Sequence, residues 1–162
     1  MVEKASVFEK PMKKEEVVFM VRIISDSSTL YSTAQARKAG FAVSPLSVTI
    51  AGKSYREFDE ISSAEFVGII HEGHMPTSSQ PAIGEVTALY EEFAGEQILN
   101  IAMAHGLSGT YMSAVAAADL CDNADDITVL NSRTLCAPTA IWWSGRWPWP
   151  RTARLWKNCW RG

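Results

Sequence analysis

QILNIAMAHGLSGTYMSAVAAADL, residues 97–120, is the stretch whose reading decides the fold. Gln97 to Ala104 is a strongly apolar run of strand length. His105 to Tyr111 is small and polar, and from about Gly109 to Leu120 the residues read as a helix. A buried strand that passes through a small-residue loop into a helix is the repeating piece of a parallel sheet. A parallel neighbour can be reached only by a crossover, and a helix usually makes it.

The same alternation extends in both directions. Val21-Arg22-Ile23-Ile24 is a short β-branched run ending at Asp26-Ser27-Ser28, with Ser28 or Thr29 placed to cap a helix over 30–39 that Gly40 stops. Residues 41–50 read as a second strand, put on an edge or broken by Pro45. Ala51-Gly52-Lys53 is a turn, and residues 55–60 are a short extended piece. Ser62 and Glu65 have capping-box spacing and open a helix that runs to about His71. Residues 83–94 are helix-like, and Ile127 to Leu130 is a further strand. The pattern predicts an α/β domain of three layers, with helices on both faces of a mostly parallel sheet.

Two polar clusters interrupt this pattern, Pro76-Thr77-Ser78-Ser79-Gln80-Pro81 and His105-Gly106-Leu107-Ser108-Gly109-Thr110-Tyr111. Hydroxyls and backbone N–H groups gathered at strand ends and helix starts suit an anion. In open parallel sheets ligands sit at the carboxyl ends of the strands. Asp26-Ser27-Ser28, His105 to Thr110 and Asn131-Ser132 all fall at such ends, so one rim should carry them. The plainer alternative is that Ser78, Ser79 and Ser108 cap the helices that follow them, and that Asp26-Ser27-Ser28 is a turn and cap.

Composition narrows the classes. The chain has 162 residues, 47% of them hydrophobic, with a net charge of −3. That is enough for one domain with a core, and the charge gives no reason to expect a nucleic acid partner. Cys121, Cys136 and Cys159 are odd in number and show no metal-ligand spacing, which favours a reducing, cytoplasmic setting and no metal. No run approaches the ~20 apolar residues of a membrane span, so stable membrane insertion is not expected. His71-Glu72-Gly73-His74 lacks the i, i+4 histidine spacing of a helical zinc site. No glycine-rich phosphate loop with lysine is present, so nucleotide binding by this chain is not expected.

The two ends depart from the pattern. Residues 1–19 mix charges throughout and read as a poorly ordered extension rather than a signal. All six tryptophans lie between Trp142 and Trp160, interleaved with Pro148 and Pro150. Such a segment forms neither a good helix nor a soluble strand. Tryptophan has one codon, and reading one base earlier turns each into leucine, valine or methionine. The shifted reading acquires helical apolar spacing, a glycine stop and a second helix start. Residues 136–162 are therefore expected to be a frameshifted, non-native tail.

Taken in order, IISDSS (23–28), VSPLSVTIAGKSYRE (43–57), PTSSQPAIGE (76–85) with LYEEF (89–93), HGLSGTYMSA (105–114) and VLNSRT (129–134) resemble the DegV family. The resemblance covers about residues 20–135, the N-terminal half of a family member, so the domain reading is 20–135 as a DegV-like N-terminal domain with the second domain missing. It implies a bacterial carrier of long-chain fatty acids, not an enzyme itself and without a cofactor. Such a carrier presents the carboxylate to a partner fatty acid kinase that makes an acyl phosphate. Burying the tail contributes ~0.8 kcal/mol per CH₂, on the order of 12 kcal/mol gross for 16 carbons.

Carried over residue by residue, Ser78-Ser79-Gln80-Pro81 aligns with the family's Thr-Ser-Gln-Pro, so Ser78 stands for a carboxylate-binding threonine. Ala104 and His105 stand where two serines are usual, and His105 becomes a substitute donor. Asn131 replaces an aspartate. The resemblance thus implies carboxylate contacts from Ser78, Ser79, His105, Ser108, Gly109 and Thr110, with Asp26, Ser27 and Ser28 as a supporting rim. Weak binding is expected of this chain, because half of the tunnel wall would be absent. Two alternatives stand beside it: a small serine hydrolase using Ser108 with His105 and Asp26, and a non-functional truncated product.

Overall fold

The computed structural model describes residues 21–135. The expected extension at 1–19 and the expected tail at 136–162 lie outside the described residues.

Four strands form a fully parallel sheet: β1 (Val21–Asp26), β2 (Ala42–Ser44), β6 (Gln97–Ala102) and β7 (Ile127–Asn131), in the order β2-β1-β6-β7. The adjacent pairs are joined through helices, as a parallel arrangement requires. Helices α3 (Ile83–Glu92) and α4 (Thr110–Asp119) cover one face, where Ile24, Ala42, Ile98, Val86, Tyr90, Ala117 and Ala118 form the main core. Helix α1 (Thr33–Ala39) covers the opposite face at β2, with Ala36, Phe41 and Val43 buried together. Ala42 and Val43 thus point to different cores, the period-2 alternation of a strand buried on both sides. The expected α/β fold with a parallel sheet is present.

Inside the main core lies one polar network. Tyr90 is fully buried, and its hydroxyl accepts from Asn100 Nδ2 at 2.6 Å and donates to the Ala114 carbonyl at 3.3 Å. One hydroxyl therefore links α3, β6 and α4. Burial pushes its pKa up to about 12, since a phenolate there would have no water.

A second sheet was not anticipated. Strands β3 (Ser47–Ile50), β4 (Lys53–Arg56) and β5 (Thr77–Ser79) pair antiparallel in the order β4-β3-β5. The expected strand over 41–50 is two strands in two sheets, because Pro45 lacks an N–H and stops the ladder between them. The extended piece expected over 55–60 is β4 to Arg56 followed by a turn in which Phe58 has φ +63°. Helix α2 (Ser63–His71) opens on the expected capping box, Ser62 to Glu65, yet none of its residues is buried.

The helix expected over 30–39 begins three residues late. Asp26 caps a single 3₁₀ turn, Ser27–Thr29, and Leu30 closes it at φ +67°. That left-handed residue breaks the helical path, and Ser32 with Gln35 restarts it as a new capping box. A left-handed leucine costs about 1–2 kcal/mol, and Leu30 is 56% exposed, so it has little packing to lose. Leu30→Gly is expected to stabilise the domain by about 0.5–1 kcal/mol in urea unfolding, after glycine's larger entropy loss is counted. A lowered midpoint would show that the leucine side chain outweighs the backbone strain.

Candidate functional site

The parallel sheet places the ends of β1, β6 and β7 along one rim, as the order of strands demands. Asp26, at the end of β1, is 2% exposed. Its Oδ1 accepts from the Ser28 N–H at 3.0 Å, and its Oδ2 accepts from the Met103 N–H at 2.7 Å. The second bond fastens the exit of β1 to the exit of β6. Burial raises the Asp26 pKa above the ordinary carboxylate value, and the hydrogen bonds from Ser28 and Met103 oppose that rise. Ser27 turns elsewhere: its hydroxyl donates to Glu57 Oε2 at 2.7 Å and accepts from the Leu46 N–H at 2.9 Å. Asp26-Ser27-Ser28 is thus a turn and cap that braces the rim.

Beyond β6, Asn131 Oδ1 accepts from the His105 N–H at 3.4 Å and from the Arg133 N–H at 3.0 Å. An amide oxygen therefore does the accepting that an aspartate would do there. The His105 ring is exposed and meets Tyr111 edge-on, with centroids 5.8 Å apart. Ser108 Oγ lies 2.8 Å from Thr110 Oγ1 and accepts from the Thr110 N–H at 3.2 Å, which turns the chain into α4. Gly109 is the N-cap residue of that helix, and Thr110 is buried.

The first cluster is a strand rather than a loop. Ser78 pairs with Val48 and Ser79 with Ser47. Both serines are exposed, and neither hydroxyl has a hydrogen-bond partner among the described residues. They do not cap α3 either, whose N-cap is Ala82 with no side-chain bond. Neighbours in a strand point to opposite faces. Ser78 shares the face of Val48, and Ser79 that of Ser47, so a single ligand group on one side of β5 meets only one of them.

Gln80 joins the clusters, a residue that sequence reasoning did not single out. A Cβ placed on Gly109 would lie 3.0 Å from Gln80 Cδ and Oε1 and 3.1 Å from Nε2. The end of β5 and the start of α4 are therefore in contact through one side chain. Pro81, fully buried, anchors the chain just beyond. The signal lay in the Ser-Ser-Gln-Pro element, where the serines drew attention away from the amide.

A hydrolytic relay is not assembled from these residues. Ser108 Oγ is engaged by Thr110, the His105 ring is against Tyr111, and both Asp26 oxygens accept from backbone N–H groups. Two hollows are found among the described residues, and the smaller borders the rim through Glu57, the partner of Ser27, and Val48, the partner of Ser78. One of about 370 Å³ is lined by Lys53, Tyr55, Glu60, Glu65 and Glu72 among others, and one of about 140 Å³ lies under Phe58 and Phe66. Among the described residues no group of three or more His, Cys, Asp or Glu could hold a metal ion, and no helix is long and apolar enough to cross a membrane.

Residues 20–142 match the family model described as uncharacterised protein, DegV family. A DegV domain-containing protein of Listeria innocua is 39% identical over 106 residues, 63% of this chain and 38% of that protein. The DegV domain-containing 15.5 kDa protein of Staphylococcus aureus is 37% identical over 115 residues, 70% of this chain and 81% of that one. The crystal structure of DegV, a fatty acid binding protein from Bacillus subtilis, matches with a TM-score of 0.69 at 28% identity, over 78% of this chain and 45% of that one. The chain thus spans less than half the length of the Listeria relative and of the Bacillus structure.

Proposed function

We propose, given that the chain belongs to the DegV family, that its described residues form the carboxylate-gripping side of a long-chain fatty acid carrier. One observation carries this reading: Gln80 against Gly109 brings the end of β5, with its unengaged serine hydroxyls, to the loop that opens α4. Similarity to a fatty acid binding protein over 78% of this chain supports the choice of ligand. Hydroxyl and N–H donors suit a carboxylate, and hydrogen bonds to a charged oxygen are about twice as strong as neutral ones. Ser78, His105, Ser108, Gly109 and Thr110 are the proposed contacts, with Ser79 left on the other face of β5 and Asp26 holding the rim in shape.

The acyl tail is a separate matter. Of the two hollows described, the larger is lined by Lys53, Glu60, Glu65 and Glu72 among others and the more apolar one holds only about 140 Å³, so the tail gains little of its possible burial in them, and this chain binds weakly. A fatty acid kinase is the proposed partner, taking the exposed carboxylate as its substrate. This chain then supplies binding and orientation rather than chemistry. The domain division into 20–135 and a frameshifted 136–162 remains part of the proposal; the family match runs out at the first tryptophan, Trp142.

Displacement of a fluorescent fatty acid by palmitic acid tests the reading. Ser78→Ala is expected to weaken binding about 5- to 10-fold, the worth of one hydrogen bond to a charged group, while Ser79→Ala leaves it nearly unchanged. Wild-type chain that displaces no probe at any palmitic acid concentration below its micelle threshold would overturn the carrier reading.

A further inference from the structure

The contact at Gly109 holds more information than proximity. Three atoms of the Gln80 amide, Cδ, Oε1 and Nε2, lie within 0.1 Å of the same distance from the point where a Cβ on residue 109 would stand, at 3.0, 3.0 and 3.1 Å. Only a point above the amide plane can be so nearly equidistant from all three. The amide therefore lies flat over Gly109, face toward the backbone, and its N–H and C=O edges point along the plane, away from it. Contacts of 3.0–3.1 Å are tighter than nine in ten real Cβ contacts, so with any other residue at 109 the amide would have to give by a few tenths of an ångström.

Neither edge of this amide is used by the protein. No hydrogen bond of the Gln80 side chain is found among the described residues, and the residue is exposed. A free glutamine on a surface loses several rotamers of entropy when it binds something. Gln80 has lost part of that freedom already, because Pro81 is fully buried behind it and Gly109 lies beneath its amide. Two N–H donors are thus held ready, one residue from Ser79, two from Ser78, and directly over the start of α4.

We propose that Gln80 is a ligand-gripping residue, which donates an amide N–H to an anionic oxygen of the bound fatty acid, with Gly109 as the platform that fixes its plane. This rests on the carrier reading above. Serine hydroxyls and one amide N–H reach a carboxylate from two directions, so the amide favours a ligand with two oxygens over one with a single hydroxyl. The start of α4 adds a favourable field for negative charge at the same place.

The test uses the full chain and two ligands of equal tail, palmitic acid and hexadecanol, each displacing a fluorescent fatty acid. Gln80→Ala is expected to weaken palmitic acid about 10-fold and hexadecanol less than 2-fold. Gln80→Glu keeps the flat shape but replaces the donors with a second carboxylate, and is expected to weaken palmitic acid about 100-fold while sparing hexadecanol. Gly109→Ala lifts the amide by a few tenths of an ångström and should weaken palmitic acid in the same direction as Gln80→Ala but by less. Palmitic acid affinity unchanged in both Gln80 variants would overturn the proposal while leaving the carrier reading intact. Equal losses for the two ligands would also overturn it, because they would mean that Gln80 only holds the loops together. Wild-type chain that binds neither ligand would overturn the carrier reading and this assignment with it.

Discussion

Tyr90→Ala is expected to remove about 4 kcal/mol of folding stability, the largest single effect of any change considered. Its ring is fully buried between α3, β6 and α4, and truncating a buried aromatic residue to alanine costs about 3–5 kcal/mol. The loss has two parts that can be separated. Tyr90→Phe keeps the ring and removes only the hydroxyl, leaving Asn100 Nδ2 and the Ala114 carbonyl without their partner in the core. An orphaned buried donor costs about 1–3 kcal/mol, so the phenylalanine variant should lose about 2 kcal/mol and the alanine variant about twice that. Urea unfolding followed by circular dichroism reads both. A phenylalanine variant as stable as wild type would mean that Asn100 finds another partner. The phenol also sets an alkaline limit. Its folded pKa is raised to about 12, so its contribution is whole below pH 10 and is lost as pH rises through 10 to 12.

Asp26→Ala is expected to cost about 3 kcal/mol, because it strips the Met103 and Ser28 N–H groups of their acceptor at the buried end of the sheet. Asp26→Asn is subtler. One amide oxygen can serve one N–H, but the NH₂ then faces the other donor, and about 2 kcal/mol should be lost. The pH dependence distinguishes burial from bonding. Folding raises this carboxyl's pKa, so the folded chain holds the proton to higher pH than the unfolded chain does. Its contribution is therefore fully present below the ordinary value of 3.8 and is lost as pH rises through the raised value. Asparagine cannot titrate. The gap in stability between wild type and Asp26→Asn should widen as pH falls from 7 toward 4.5, with all other carboxylates cancelling in the difference. A gap that narrows instead would show that the N–H bonds dominate and that the carboxyl pKa is lowered.

What sequence could show, and what it could not, follows from how strongly each segment is driven. Ile98 to Ala102 and Ile127 to Leu130 are apolar runs of strand length, and both are strands of the parallel sheet, the first largely buried and the second a half-buried edge. Ser62 with Glu65 is a local device that depends on nothing distant, and it works as read. Thr77-Ser78-Ser79 carries no apolar signal and is exposed throughout; only pairing with β3 makes it a strand. The helix boundary near Leu30 failed for a related reason. A left-handed leucine is held there by Asp26 and the 3₁₀ turn around it, and local propensity argues against it. At the rim, the serines and the histidine were visible as residue types that bind anions. Gln80 was not, since its standing depends on a glycine 29 positions away.

Helix α2, whose Phe66, Ile69 and Ile70 are only half-buried, has a last consequence. With no residue of α2 fully buried, and β5 exposed along its length, these two elements can open at low free energy while β1, β6 and α4, and β3 with its buried Val48 and Ile50, stay folded. Amide hydrogens of α2 and β5 should then exchange with solvent deuterium by a sub-global opening, and those of β1 and β6 only when the whole domain unfolds. The two halves of the proposed grip differ accordingly in permanence. His105 to Thr110 belongs to the slowly exchanging body, whereas Ser78 and Ser79 ride on the exposed edge strand β5. A bound carboxylate that spans both would act as the clasp, and slowed exchange along β5 would be its signature.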